Sequence, residues 1–263
     1  MRRRAVATAA AVALSLTACT DVSTDPNAVA GLQFDNIGYP SIVVGDSLRD
    51  SVGALLPLAA IALNNDGDPI PDADVVYSSP DTVLEMKAGG VVFARGFNPG
   101  GTATRVFATV GSLQSQALSL FTVPRADEMT PAFEADTTNG QTSAEDGLTF
   151  TVRGDTAAGA PKLAVQGWLV SFQLRYRGAL LSPTDTTVAY PFFISAQRRV
   201  PSFVDTTDAS GRAARRVFIR SPRTPEDTVI LVATAHRRKT GLPPLTAQIR
   251  LIVRQGATLS RVP

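Results

Sequence analysis

The sequence predicts an all-β protein, and three features do so. Apolar side chains recur every second residue in four separate stretches. Glycine-bearing turn signals cut the chain at short intervals, and no stretch beyond residue 18 sustains a helical period.

The alternation is clearest in GWLVSFQLRYRG, residues 167–178. Trp168, Val170, Phe172, Leu174 and Tyr176 share one face there, and Ser171, Gln173, Arg175 and Arg177 share the other. LTAQIRLIVR (245–254), DTVILVATA (227–235) and GLTFTVRG (147–154) follow the same period, as half-buried strands of antiparallel sheets do. Asp66-Gly67, Gly89-Gly90, Pro99-Gly100-Gly101, Asn139-Gly140 and Ser210-Gly211 mark turns between such runs. Short strands with this punctuation suit a β-sandwich or a barrel. In LLPLAAIAL (55–63), Pro57 and the flanking turns favour an edge leading into a buried strand over a helix.

In chain order, residues 1–18 read as a leader. Arg2, Arg3 and Arg4 precede an uncharged run of about fourteen residues, too short for a membrane span of roughly 20. The run ends at Leu16-Thr17-Ala18-Cys19, which holds the one cysteine of the chain and resembles the bacterial lipobox. That resemblance implies cleavage before Cys19 and acylation of its sulfur. A single acyl chain anchors a protein only marginally, whereas two or more hold it stably. The expected attachment is therefore to a membrane through N-terminal lipid at Cys19, with the protein in a bacterial cell envelope. Thr20 stands where an Asp would mark inner-membrane retention, which favours the outer membrane or cell surface.

Residues 19–33 are small and polar and suit a flexible tether. Residues 34–123 form a first domain, and 124–147 form an acidic, turn-rich linker able to lend an edge strand. Residues 148–255 form a second domain with an insertion at 177–207, and 256–263 are a tail. The two domains differ in charge: 19–147 carries five Lys/Arg against seventeen Asp/Glu, and 148–263 carries seventeen against six. Opposite halves can attract one another, face partners of opposite sign, or be two solvated surfaces. An envelope polysaccharide or a protein is the expected partner class, and an exported chain has little occasion to meet nucleic acid.

Both domains resemble the bacterial immunoglobulin-like (Big) domains of invasin-type surface proteins. In the first, NNDGDPIPDADVVYSS (64–79) is similar to the family's D-x-G-x-P turn and following strand, with Val75 and Tyr77 inward. In the second, TDASGRAARRVFI (207–219) and DTVILVATA (227–235) are similar to its T-D-x-x-G-x-A turn and V-x-V-x-A-T-A strand. The resemblance implies two tandem immunoglobulin-like β-sandwiches and a spacer, scaffold or adhesive role. Fold alone does not fix activity.

The residues offer little chemistry. His236 is the one histidine and sits in HRRK at a strand end; no G-x-S-x-G, S-x-x-K or phosphate-binding glycine motif is present. One histidine and one lipidated cysteine cannot build a zinc site, and no cofactor is expected. Asp66, Asp68, Asp72 and Asp74 are weak calcium candidates, since turn chemistry accounts for most of them. Within 177–207, Tyr190, Phe192, Phe193, Arg198 and Arg199 combine the aromatic and arginine side chains enriched at interfaces, and make a candidate partner surface. The expectation is a non-catalytic adhesion, spacer or scaffold module, with a carbohydrate- or other ligand-binding envelope protein that uses this insertion as the alternative. A carboxylate-dependent hydrolase ranks last, because short-looped sandwiches leave little room for a cleft.

Overall fold

The structure, a computed structural model, describes residues 28–35, 37–38, 40–98, 101–138, 147–156, 160–180, 192–195, 202–219, 226–239, 241–254 and 260–262. Among the described residues no helix is long and apolar enough to cross a membrane.

The first half contains β1 (Gly31–Phe34), β2 (Ser41–Val43), β3 (Ala60–Leu63), β4 (Val76–Ser78), β5 (Leu84–Lys87), β6 (Val91–Ala94), β7 (Thr104–Val110), β8 (Leu113–Gln114) and β9 (Leu118–Val123). β1 pairs antiparallel with β3, and β2 runs parallel to β9. β9, β7 and β4 continue as antiparallel neighbours, and β5 and β6 form a hairpin. The hairpin joins the sandwich through Leu48 N–H to Val92 O (2.9 Å) and Leu58 N–H to Gly90 O (2.9 Å). Leu55 forms an isolated bridge with Arg49, and residues 56–59, which include Pro57, stay outside any strand ahead of β3.

The second half contains β10 (Glu128–Pro131), β11 (Ala135–Thr138), β12 (Leu148–Gly154), β13 (Leu163–Ala164), β14 (Leu169–Tyr176), β15 (Ala179–Leu180), β16 (Phe192–Ser195), β17 (Val204–Thr206), β18 (Arg212–Ile219), β19 (Glu226–Ala235), β20 (Leu245–Arg254) and β21 (Ser260–Val262). One sheet has the order β10-β12-β18-β16. The other runs β14-β19-β20-β11, with β11 parallel to β20. This is the immunoglobulin plan of two facing, largely antiparallel sheets, with the first strand split between them. The first half repeats it: β1 and β2 divide between β3 and β9 as β10 and β11 divide between β12 and β20. Both halves are immunoglobulin-like sandwiches.

Each half has its own core. Ile42, Leu48, Leu58, Val92, Val106 and Leu120 are buried in the first, with Phe34 and Tyr77 packed at its side. The second is larger and aromatic. Trp168, Val170, Phe172 and Leu174 are all buried, as their alternation requires, and the Phe150 and Phe172 rings lie 5.8 Å apart. Burying each such side chain contributes about 1.5–3 kcal/mol. Val43, Val123 and Ala126 join this second core from the first half and its exit, so the apolar interior crosses the boundary between sandwiches.

Strands also occur where the sequence suggested connections. Residues 124–147 hold β10 and β11, which serve both sheets of the second sandwich; β1 starts inside the expected tether, and β21 lies in the expected tail. These strands are short and polar, so their period-two signal is faint. The 177–207 insertion contributes β15, β16 and β17, and Phe203 packs against the second core.

Candidate functional site

The densest constellation of buried polar groups among the described residues lies where the two sandwiches meet. From the first half come β2, beginning at Ser41, with the Val43–Asp46 turn, and from β9's exit comes Arg125. From the second come the loop entering β14, Val165–Trp168, and the loop leaving β19, His236–Lys239.

Arg238 is only 3% exposed. A guanidinium taken out of water costs several kcal/mol unless its protons and charge find partners. Arg238 lies over the Trp168 ring, 4.0 Å from its centroid. Its Nη1 donates to the backbone oxygen of Ser41 (2.7 Å) and to Ser41 Oγ (2.9 Å). Ser41, itself fully buried, donates from its hydroxyl to Gly167 O at 2.8 Å. Trp168 Nε1 donates to His236 O at 2.9 Å, which fixes the loop that carries Arg238. One connected set of bonds thus runs from β2 to the β14 loop and the β19 loop.

A second tie lies beside it. Arg125 Nη2 meets Asp46 Oδ2 at 2.7 Å, while its Nη1 donates to the carbonyls of Arg237 and Arg238, each at 3.3 Å. Asp46 also accepts from Arg49 Nε (2.9 Å) and from Ser47 N–H (2.8 Å). The backbones approach closely. A methyl group on Gly167, at φ 67°, would come within 3.3 Å of Phe121 and Pro40 and within 3.4 Å of Ser41. A side chain there would be strained by the positive φ and would need these neighbours to yield by a few tenths of an ångström, so glycine suits this close seat under β2.

Burial pushes the Asp46 carboxyl up, but the hydrogen bonds from Arg125, Ser47 N–H and Arg49 outweigh it and hold its pKa below the ordinary aspartate range. A carboxyl held low in the folded state adds stability above its unfolded value, near about 3.9. That stability is lost as pH falls through the lower folded value. Asp46→Asn is expected to flatten the acid-side fall in the urea midpoint below about pH 4. Unfolding curves at stepped pH check this, and a variant with an unchanged acid slope would remove Asp46 from the account.

The residues singled out from sequence have varied places. Cys19, Tyr190, Arg198 and Arg199 lie outside the described residues. Phe192 and Phe193 pair through their backbones with Ile219 and Phe218 in the β16–β18 ladder; their side chains lie outside the described set. Asp66, Asp68, Asp72 and Asp74 are exposed on the loop between β3 and β4. Asn64 Oδ1 closes that loop by accepting from the Asp66 and Asp68 amides, both at 2.9 Å. Among the described residues no three His, Cys, Asp or Glu side chains gather closely enough to hold a metal ion. His236 is exposed at the end of β19, as its position in the strand suggests.

Sequence reasoning missed the joint. HRRK reads as a run of solvated cations, yet Arg238 is buried; its left-handed backbone, φ 50°, turns it inward. The one available hint is Trp168, the only tryptophan, whose indole needs both an acceptor and a cover.

No family model matches this chain, and no curated protein does. Solved structures of similar architecture include the Yersinia pseudotuberculosis adhesin InvE, at 14% identity and a TM-score of 0.33, covering 81% of this chain and 56% of that one. Domains 5–6 of the S-layer protein SbsC match at 11% identity and a TM-score of 0.28, covering 88% and 99%. Repeats EC22-24 of mouse cadherin-23 match at 12% identity and a TM-score of 0.26, covering 87% and 65%. The chain thus spans little more than half the length of the adhesin, and the immunoglobulin-like assignment rests on its own strand order and register.

Proposed function

We propose that this chain is a lipid-anchored protein of the bacterial cell envelope, and that its two sandwiches act as a stiff, non-catalytic spacer or adhesive arm. The observation that carries the reading is the joint. A flexible tandem would expose polar linker and leave the domain ends wet. Here a buried arginine, a buried serine, an ion pair and a shared apolar core bridge the two halves. Such a joint transmits orientation, which a spacer that holds something at a fixed distance from a membrane requires.

The lipobox-like Leu16-Thr17-Ala18-Cys19 supports the anchoring part of the reading. Cys19→Ser is expected to move the protein from the membrane to the soluble fraction, and retention in the membrane would refute lipidation as the cause. For the arm, wild-type protein from residue 20 onward is expected to scatter X-rays as one elongated rigid body. The double variant Arg125→Ala/Arg238→Ala should broaden its distance distribution while both sandwiches stay folded by circular dichroism. An unchanged distribution in that variant would sink the stiff-arm reading.

A further inference from the structure

The outward face of the β14-β19-β20 sheet is laid out in rows by its register. Ser171 pairs with Thr234, and Thr234 with Thr246. One row on, Gln173 pairs with Val232, and Val232 with Gln248; the next row is Arg175, Ile230 and Arg250. Ile230 and Val232 form an aliphatic stripe down the middle, half-buried, while Gln173, Gln248, Arg175 and Arg250 are exposed on either side. Strands lie about 4.8 Å apart, so the two arginines stand roughly 10 Å apart across the stripe and about 7 Å from the glutamine row. Neither arginine has an ion-pair partner among the described residues. Glu134, at the rim, shares a groove with Arg250, and its backbone oxygen accepts from Arg250 N–H.

We infer that this sheet face is a binding surface for an anionic polysaccharide with a carboxylate on repeating sugars. Two arginines rooted on neighbouring positions of one sheet fit carboxylates, each guanidinium able to donate in parallel pairs. The amides of Gln173 and Gln248 both donate and accept, as sugar hydroxyls require. The central stripe suits the apolar C–H surface of a pyranose ring. No aromatic side chain stands in these rows, and aromatics are the usual anchors of a protein partner, so the face suits a repeating polymer better than a protein knob. Two copies meeting face to face would bring four arginines together, which disfavours a symmetric dimer on this surface. The acidic first half repels the same polymer and confines it to the second sandwich.

The opposite sheet provides an internal control. Arg212 and Arg216 are exposed on β18, but Asp208 Oδ1 caps the Arg212 amide and Asp205 Oδ2 caps the Ala214 amide. Carboxylates therefore stand among those cations. A non-specific attraction between a basic domain and a polyanion would draw on both faces equally.

The experiment measures binding of the folded chain from residue 20 onward to polygalacturonate, neutral pullulan and poly-glutamate by biolayer interferometry. Polygalacturonate is expected to bind, with affinity falling as salt rises, and pullulan to give no signal. Arg175→Ala/Arg250→Ala should weaken polygalacturonate about ten-fold or more. Gln173→Ala/Gln248→Ala should weaken it about three-fold with its salt dependence unchanged. Arg212→Ala/Arg216→Ala removes the same charge and should leave affinity within about two-fold. Equal losses from both arginine pairs, absence of polygalacturonate binding, or tighter binding of poly-glutamate would each overturn the assignment, the last in favour of an acidic protein partner. None of these outcomes depends on lipidation or on the stiffness of the joint.

Discussion

Trp168→Ala is expected to lower the stability of the second sandwich by about 3–5 kcal/mol, the range for removing a fully buried aromatic side chain. The ring is 1% exposed and belongs to the core that Phe150, Phe172 and Ile249 share. Its loss would also uncover the Arg238 guanidinium, which lies 4.0 Å from the ring centroid, and free the His236 carbonyl that Nε1 holds. Trp168→Phe separates these contributions. It keeps most of the apolar bulk and discards the indole donor, so a smaller loss of about 1–2 kcal/mol is expected. Urea unfolding followed by circular dichroism reads both variants. Equal losses would show that the hydrogen bond to His236, not packing, dominates at this position.

Gly211→Ala is expected to cost about 3 kcal/mol, far more than one methyl group on a turn ordinarily would. Asp208 builds this turn by accepting from the Ser210 and Arg212 amides at 2.8 and 3.0 Å. Gly211 must then take φ 76°, and its carbonyl accepts from Val152 N–H at 2.8 Å. A side chain there is strained by the backbone angle, and its first carbon would lie 2.5 Å from Val152 O and 3.2 Å from Val165 N. Gly67→Ala is the matched comparison. Its φ is 84° but nothing lies within 4 Å, so strain alone applies, at about 1 kcal/mol. If the two variants unfold at the same urea concentration, crowding at Gly211 has been overestimated.

The strands legible in the sequence are the long ones with a greasy side. β14, β19 and β20 run eight to ten residues, and their inward positions alternate almost without fault. Half-burial imposes that pattern, and so it is visible without coordinates. β10 and β11, EMTP and ADTT, were not legible as two strands because four residues give at most two inward positions. Their pairing is dictated by the open edges of β12 and β20, the second of which lies far along the chain from β11. The turn at Asp208–Gly211 was legible because its chemistry is local, a carboxylate closing on amides two and four residues away.

The joint was illegible for the opposite reason. Ser41 and Arg238 are 197 residues apart, and nothing in SIVV or HRRK marks either as buried. The same holds for the arginine rows: Arg175 and Arg250 become neighbours across Ile230 only when β19 comes between them. By itself the sequence determined the fold class, the inward faces of the long strands and the tight turns, because alternation and turn chemistry act over a few residues. The tertiary structure decided how the sandwiches are clamped and which cations share a surface. Those depend on contacts between segments distant in the chain, whose energies appear only once the backbone has brought them together.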